Sequence, residues 1–298
     1  MRGTQVRARL VIVSLLISTV LWTARAQDGR QSAAAAAALP NTAGSLKIAV
    51  LGDFGTGSSR QYELAAQMAK AHESFPYELV LLVGDNLYGS ERPQDFRKKF
   101  EIPYKPLLDA GVKFYASLGN HDAREQRYYK PFNMDGKLYY SFKAPRQDVR
   151  FFAFESTYPE PAQIAWLENE LKSAKEAWKV VFFHHPLYSS GERHGSDTRL
   201  RDTLEPLFLK YGVSLVFTGH DHFYERIKPQ KGILYFVTGS GGQLRKGNID
   251  KSTGLTAAGL DTDNAFLMGE FLDDTFSFRA VARSGQVVDS GSFRRRGA

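Results

Sequence analysis

The chain has 298 residues, of which 43% are hydrophobic, 24% charged and 13% aromatic, and it contains no cysteine. That balance excludes a disordered or fibrous protein, and the missing thiols exclude disulfides and thiolate chemistry. The formal charge of +7 invites a nucleic-acid partner, so the position of the basic residues matters.

Residues 1–26 open with Arg2, Arg7 and Arg9, continue through the apolar run from Leu10 to Trp22, and end Ala24-Arg25-Ala26. A basic start, an apolar middle and an A-x-A end predict a cleaved secretory signal. The alternative is a retained membrane anchor, but the 13 residues of the run fall short of the roughly 20 that a membrane-spanning helix needs. No stable membrane insertion is expected after cleavage. Cleavage leaves 35 basic residues against 32 acidic ones, which removes the case for nucleic acid as principal ligand. Residues 27–46 are alanine-rich and interrupted by Pro40 and Gly44, the composition of a flexible linker. A single catalytic domain over residues 47–298 is expected. A secreted chain without cysteine suits a periplasm or the cell exterior.

From Lys47 the chain alternates short apolar runs with amphipathic stretches, as buried strands covered by helices do in an α/β protein. Five runs end in polar tips. Ile48 to Leu51 stops at Gly52-Asp53-Phe54-Gly55. Leu79 to Val83 stops at Gly84-Asp85-Asn86-Leu87-Tyr88, and Val112 to Leu118 at Gly119-Asn120-His121-Asp122. Val180 to Phe183 leads into His184-His185-Pro186, and Val213 to Thr218 into Gly219-His220-Asp221-His222. Ligand sites in α/β sheets gather beyond the carboxyl ends of strands, so the five tips are expected to converge. Of seven histidines only His72, at the end of a helix predicted from Arg60 to Ala71, lies outside this region. A single Gly-Asp after an apolar run is commonly a turn. Five tips with carboxylates, an amide, a phenol and imidazoles offer oxygen and nitrogen ligands for Fe, Mn or Zn, and more of them than one metal uses. A binuclear centre, suited to splitting phosphate esters, accounts for the number.

These tips, D-x-G, G-D-x-x-Y, G-N-H-D, H-x-P and G-H-x-H, resemble in order the motifs of the calcineurin-like metallophosphoesterases, and within them the purple acid phosphatases. The resemblance runs from Lys47 to about Thr238. Most of the superfamily has D-x-H at the first tip; here Gly55 stands in place of that histidine and Tyr88 supplies another ligand, as in purple acid phosphatases. The resemblance implies a sandwich of two packed mixed β-sheets flanked by α-helices. It implies Fe(III) held by Asp53, Asp85, Tyr88 and His222, and a divalent Fe, Zn or Mn held by Asp85, Asn120, His184 and His220, with Asp85 bridging. About one net positive charge then remains on the centre, which favours an ester anion. His121 and His194 resemble the outer histidines that orient phosphate and protonate the leaving oxygen, His194 lying ten residues past His184 where some members have nine. Asp122 is expected behind His121 as its partner, and His185 behind His184 as support.

The function implied is a secreted acid phosphatase hydrolysing small phosphomonoesters by metal-hydroxide attack on phosphorus. The alternatives are a phosphodiesterase or nucleotidase with two divalent metals, a non-catalytic phosphate- or metal-binding relative, and a redox protein using an iron pair. Leu138 to Phe142 and Val149 to Phe154 predict paired strands. Ala265 to Leu272, Phe276 to Ala282 and Gln286 to Phe293 predict strands completing the second sheet. Loops around residues 89–110, 122–137 and 187–198 are expected to set substrate choice.

Overall fold

Runs rich in β-branched and aromatic residues settle into strands because such side chains fit a pleated, buried surface. The computed structural model describes residues 1–3, 38–295 and 297. The rest of the expected signal segment, and the expected linker up to residue 37, lie outside the described residues.

The first run forms β1 (Leu46–Leu51), followed by helix α1 (Ser59–Ser74), whose N-cap Ser58 accepts the Gln61 N–H. The all-apolar β2 (Leu79–Val83) leads through short helices α2 (Pro93–Phe96) and α3 (Lys105–Asp109) to β3 (Lys113–Ser117). Next come β4 (Tyr140–Lys143), β5 (Val149–Ala153), α4 (Pro161–Ser173), β6 (Trp178–Phe182), α5 (Thr198–Tyr211) and β7 (Leu215–Thr218). The chain continues with β8 (Tyr224–Ile227), β9 (Leu234–Thr238), β10 (Thr256–Leu260), β11 (Ala265–Leu272), β12 (Thr275–Ala282) and β13 (Val287–Arg294).

The strands build two mixed sheets, one of six strands in the order β13-β12-β11-β1-β2-β3 and one of seven in the order β10-β8-β9-β7-β6-β5-β4. The fold is α/β, two sheets with flanking helices. In β6 the period-two alternation separates two cores: Trp178, Val180 and Phe182 join one apolar cluster, Val181 and the following Phe183 the other. The first cluster fills the space between the sheets, where Trp178 meets Phe271 at 5.1 Å between ring centres and Phe236 meets Phe278 at 5.0 Å, and also takes in Leu64, Ala65 and Met68 of α1. The second is closed by Leu167 and Leu171 of α4 and Leu200, Leu204 and Phe208 of α5.

The last three strands occur as expected but join a different sheet. β11 pairs antiparallel with β1, Ile48 opposite Gly269, so β11 to β13 extend the sheet of the first three tips, while β8, β9 and β10 extend the other. The end of the expected linker is tied down: Asn41 N and Thr42 N donate to the Glu270 carboxylate at 2.7 and 2.6 Å, and β1 already begins at Leu46.

Candidate metal centre

The five tips meet through backbone hydrogen bonds. Gly52 N donates to the Thr238 carbonyl at 3.0 Å, Asp53 N to Gly84 at 3.0 Å and Gly219 N to His184 at 2.9 Å, which locks tips of both sheets together. His220 N donates to Asp53 Oδ2 and His121 N to Asp85 Oδ1, each at 2.9 Å. Asp53, Asp85 and His220 are left-handed, with φ of 55°, 50° and 71°. Such backbone costs about 1–3 kcal/mol per residue and persists where the surroundings impose it.

Gly55 explains why no histidine stands at the first tip. A Cβ there would run into the Asn86 carbonyl. The Gly55 carbonyl in turn accepts the Tyr88 N–H at 3.0 Å, so the bare backbone at 55 is what lets Tyr88 approach. The Tyr88 hydroxyl donates toward Asp85 Oδ2 at 2.9 Å and Asp53 Oδ1 at 3.1 Å, and lies 3.3 Å from His222 Nε2. One phenolic proton thus faces two carboxylates, of which Asp53 is 0% and Asp85 1% exposed.

The second group gathers around His184, which is fully buried. Its Nδ1 lies 3.0 Å from the Val83 carbonyl, an acceptor only, so Nδ1 carries the proton and Nε2 presents a lone pair. That lone pair faces Asn120 Oδ1 at 3.1 Å, His220 Nδ1 at 3.2 Å and Asp85 Oδ1 at 3.4 Å. Lone pairs turned on one another in a buried place are what cations satisfy, so the residues fit two metals. The two oxygens of Asp85 address the two groups, as a bridge requires.

The protein alone is electrostatically unbalanced here. Burial, then the neighbouring Asp85 charge, holds the Asp53 carboxyl well above its ordinary pKa, and burial also raises Asp85. Burial and both carboxylates raise Tyr88. Burial keeps His184 and His220 neutral and pushes His222 down to about 4, the state in which imidazole binds metal.

The outer residues divide by side. The exposed His121 lies against Tyr88, 4.9 Å between ring centres, and the exposed His194 against His220 at 4.2 Å. His185 sits closer than a supporting residue needs to: its ring is 4.4 Å from that of His220, and its ligand nitrogen falls within 4.8 Å of those of His184 and His220. Ser156 Oγ occupies its Nδ1 at 2.9 Å.

The expected pairing of Asp122 with His121 gives way to another role. Asp122 accepts five hydrogen bonds, from Asn86 N, Asn86 Nδ2, Leu87 N, Gly119 N and Gln126 Nε2, between 2.7 and 3.1 Å. It therefore splices the second tip to the third. Burial and the Asp85 charge push its carboxyl up to about 8 against the backbone donors. His72 stands away from the centre, packed on Tyr77 at 4.9 Å.

Sequence reasoning missed two carboxylates behind the histidines. Asp221 Oδ2 accepts Ser189 Oγ at 2.5 Å and Gly195 N at 3.2 Å, and so ties down the loop that carries His194. Glu225 accepts Ser190 N from the same loop at 2.9 Å. An acid enclosed between His220 and His222 was the available signal for the first.

The chain belongs to the calcineurin-like phosphoesterase family, whose sequence model matches residues 46–224, and it is a phosphoesterase. Proteins similar to it in sequence include acid phosphatases. Purple acid phosphatase 17 of Arabidopsis thaliana is 30% identical over 248 residues, covering 70% of this chain and 72% of that protein. Tartrate-resistant acid phosphatase type 5 of Oryctolagus cuniculus is 28% identical over 237 residues, covering 66% and 73%. The structure of a purple acid phosphatase from yellow lupin (Lupinus luteus) seeds superposes with a TM-score of 0.71 at 20% identity, over 86% of this chain and 55% of that one, which shows the shared fold. Among the described residues no helix is long and apolar enough to cross a membrane.

Proposed function

We propose that the chain is an exported, binuclear-metal acid phosphatase that hydrolyses small phosphomonoesters. The observation that carries this reading is the Tyr88 hydroxyl seated between Asp53, Asp85 and His222 where Gly55 leaves no room for a histidine. Asp53, Asp85, Tyr88 and His222 would hold Fe(III), and Asp85, Asn120, His184 and His220 a divalent Fe, Zn or Mn. Bound there, the metals would supply Lewis acidity toward phosphoryl oxygens and water. His121, whose ring lies against Tyr88, and His194, whose ring lies against His220, would hold phosphoryl oxygens and pass a proton to the departing alcohol oxygen. The leader over residues 1–26 would direct the enzyme to a periplasm or the exterior.

The test is a visible spectrum and metal analysis of the purified protein and of Tyr88→Phe, with acid phosphatase assays on both. A broad visible band that disappears in Tyr88→Phe while iron stays bound is the expected outcome. A colourless wild type carrying two equivalents of Mn or Zn would overturn the iron assignment and favour a phosphodiesterase with two divalent metals.

A further inference from the structure

The glycine-rich loop after β9 lies across the carboxylate side of the centre. Gly241 N donates to the Gly52 carbonyl at 2.9 Å, Gly242 N and Gln243 N both donate to the Asp53 carbonyl at 3.0 Å, and Arg245 N donates to the His222 carbonyl at 3.0 Å. This path delivers Arg245 beside two candidate ligands. After burial, its guanidinium charge is what most lowers the pKa of His194 and His222, and the Asp221 carboxylate acts on it in turn. Its Nη1 is buried without a hydrogen-bond partner.

A second arginine arrives from the facing loop. Glu192 N donates to the Asn248 carbonyl at 2.9 Å and Asp250 N to the Ser190 carbonyl at 2.8 Å, with a bridge between Gly191 and Ile249, so the loop of Arg193 and His194 is zipped to the segment that follows Arg245. The charge of Arg193 reaches Arg245, His194 and His222. Neither Arg193 nor Arg245 forms an ion pair among the described residues, and unlike the surface arginines that also lack one, Arg245 stands beside candidate metal ligands with a buried, unpartnered N–H. Two neighbouring guanidinium groups without a counter-ion repel, and a buried N–H without an acceptor is costly. A tetrahedral oxyanion answers both, because its oxygens match the planar fork of arginine.

We propose that Arg245, assisted by Arg193, is an anion clamp on the rim of the centre that grips the oxygens of a dianionic phosphomonoester and of the inorganic phosphate it yields. The clamp selects monoesters over diesters, since a diester has one negative charge and carries a substituent on an oxygen the clamp would take. The proposal rests on the phosphatase reading above for its substrate, but its structural basis is independent of turnover.

The experiment uses the full-length, metal-loaded protein as wild type, Arg245→Gln, Arg245→Lys and Arg193→Gln. It measures inorganic phosphate binding by calorimetry, metal content, and kcat and KM for p-nitrophenyl phosphate and bis(p-nitrophenyl) phosphate. In Arg245→Gln, phosphate affinity is expected to fall roughly tenfold to a hundredfold, with a smaller fall in Arg193→Gln and partial recovery in Arg245→Lys. Metal content stays at the wild-type level, KM for the monoester rises more than kcat falls, and the preference for the monoester shrinks. Phosphate affinity within twofold of wild type in a metal-replete Arg245→Gln overturns the clamp, as does loss of metal, which would make Arg245 a prop for the ligands. If Arg245→Gln does not fold, unchanged affinity in both Arg245→Lys and Arg193→Gln overturns it. Arginine-dependent phosphate binding by a protein that hydrolyses neither ester keeps the clamp and overturns the phosphatase reading; intact hydrolysis with arginine-independent binding does the reverse.

Discussion

The two sheets bring different chemistry to the centre. Tips of the six-stranded sheet carry its oxygens, Asp53, Asp85, Tyr88 and Asn120, with His121 the one imidazole on that side. Tips of the seven-stranded sheet carry His184, His185, His194, His220 and His222. The oxygen side holds two buried carboxylates, with Asp122 splicing its loops, while left-handed backbone occurs on both sides, at Asp53 and Asp85 and at His220. The nitrogen side is neutral and leans on carboxylates behind it, Asp221 and Glu225. One side therefore depends on cations for its balance, the other on hydrogen bonds for its shape, and the two should fail differently.

Asp85→Asn strikes the junction between the sides, since its two oxygens address both groups. Both metals are expected to be lost and phosphatase activity to fall roughly a thousandfold or more; full metal content by elemental analysis would break the bridging role. Asp221→Asn strikes only the nitrogen side. Here kcat/KM is expected to fall about 10- to 100-fold while the visible band stays, and the loop over residues 189–195 becomes easier to cleave in limited proteolysis. A bleached band would mean that the two sides are not separable. Gly55→Ala strikes the oxygen side through its backbone, costing about 1–3 kcal/mol by thermal denaturation and shifting the band as Tyr88 is displaced. Unchanged stability would show that the Asn86 carbonyl yields easily.

The mildest test removes the metals. In the metal-free protein the folded-state pKa values of Asp53 and Asp85 are raised, so the folded state takes up protons before the unfolded state does as pH falls. The carboxylates' share of its stability should rise on acidification from neutral pH toward the ordinary carboxylate range near pH 4. His184, His220 and His222, whose folded-state values are lowered, instead cost stability below about pH 6.5 as their unfolded forms take up protons. In the metal-free protein Asp53→Asn should therefore make Tm fall more, or rise less, between about pH 7 and 5 than in the wild type. A metal-free Asp53→Asn protein whose Tm changes over that range just as the wild type's does would contradict the charge imbalance assigned to the oxygen side.

The tips were legible in the sequence because each joins a local signal, an apolar run ending in glycine, to chemistry a strand end exposes. Asp122 was misjudged because its donors Asn86 and Leu87 lie 36 and 35 residues away on a neighbouring tip, and proximity to His121 in sequence was the only visible cue. β8 has only four residues and β10 reads TAAGL, too short and too weakly patterned to stand out. The sheet joined by β11 to β13 depends on which edge β1 offers, which periodicity does not encode. Arg245 was hidden for a related reason: nothing within Gly239 to Arg245 reveals that the backbone of this loop bonds to Asp53 and His222.

The left-handed Asp53, Asp85 and His220 set folding and turnover against each other. Glycine would adopt that conformation without the steric penalty and, at 53 and 85, without the buried charge. A lineage released from the need to hydrolyse esters would thus gain robustness by shedding these very side chains. The metal-free Asp85→Gly protein should accordingly melt above the metal-free wild type, so that the positions most demanding to fold are also those whose drift would first record a lost activity.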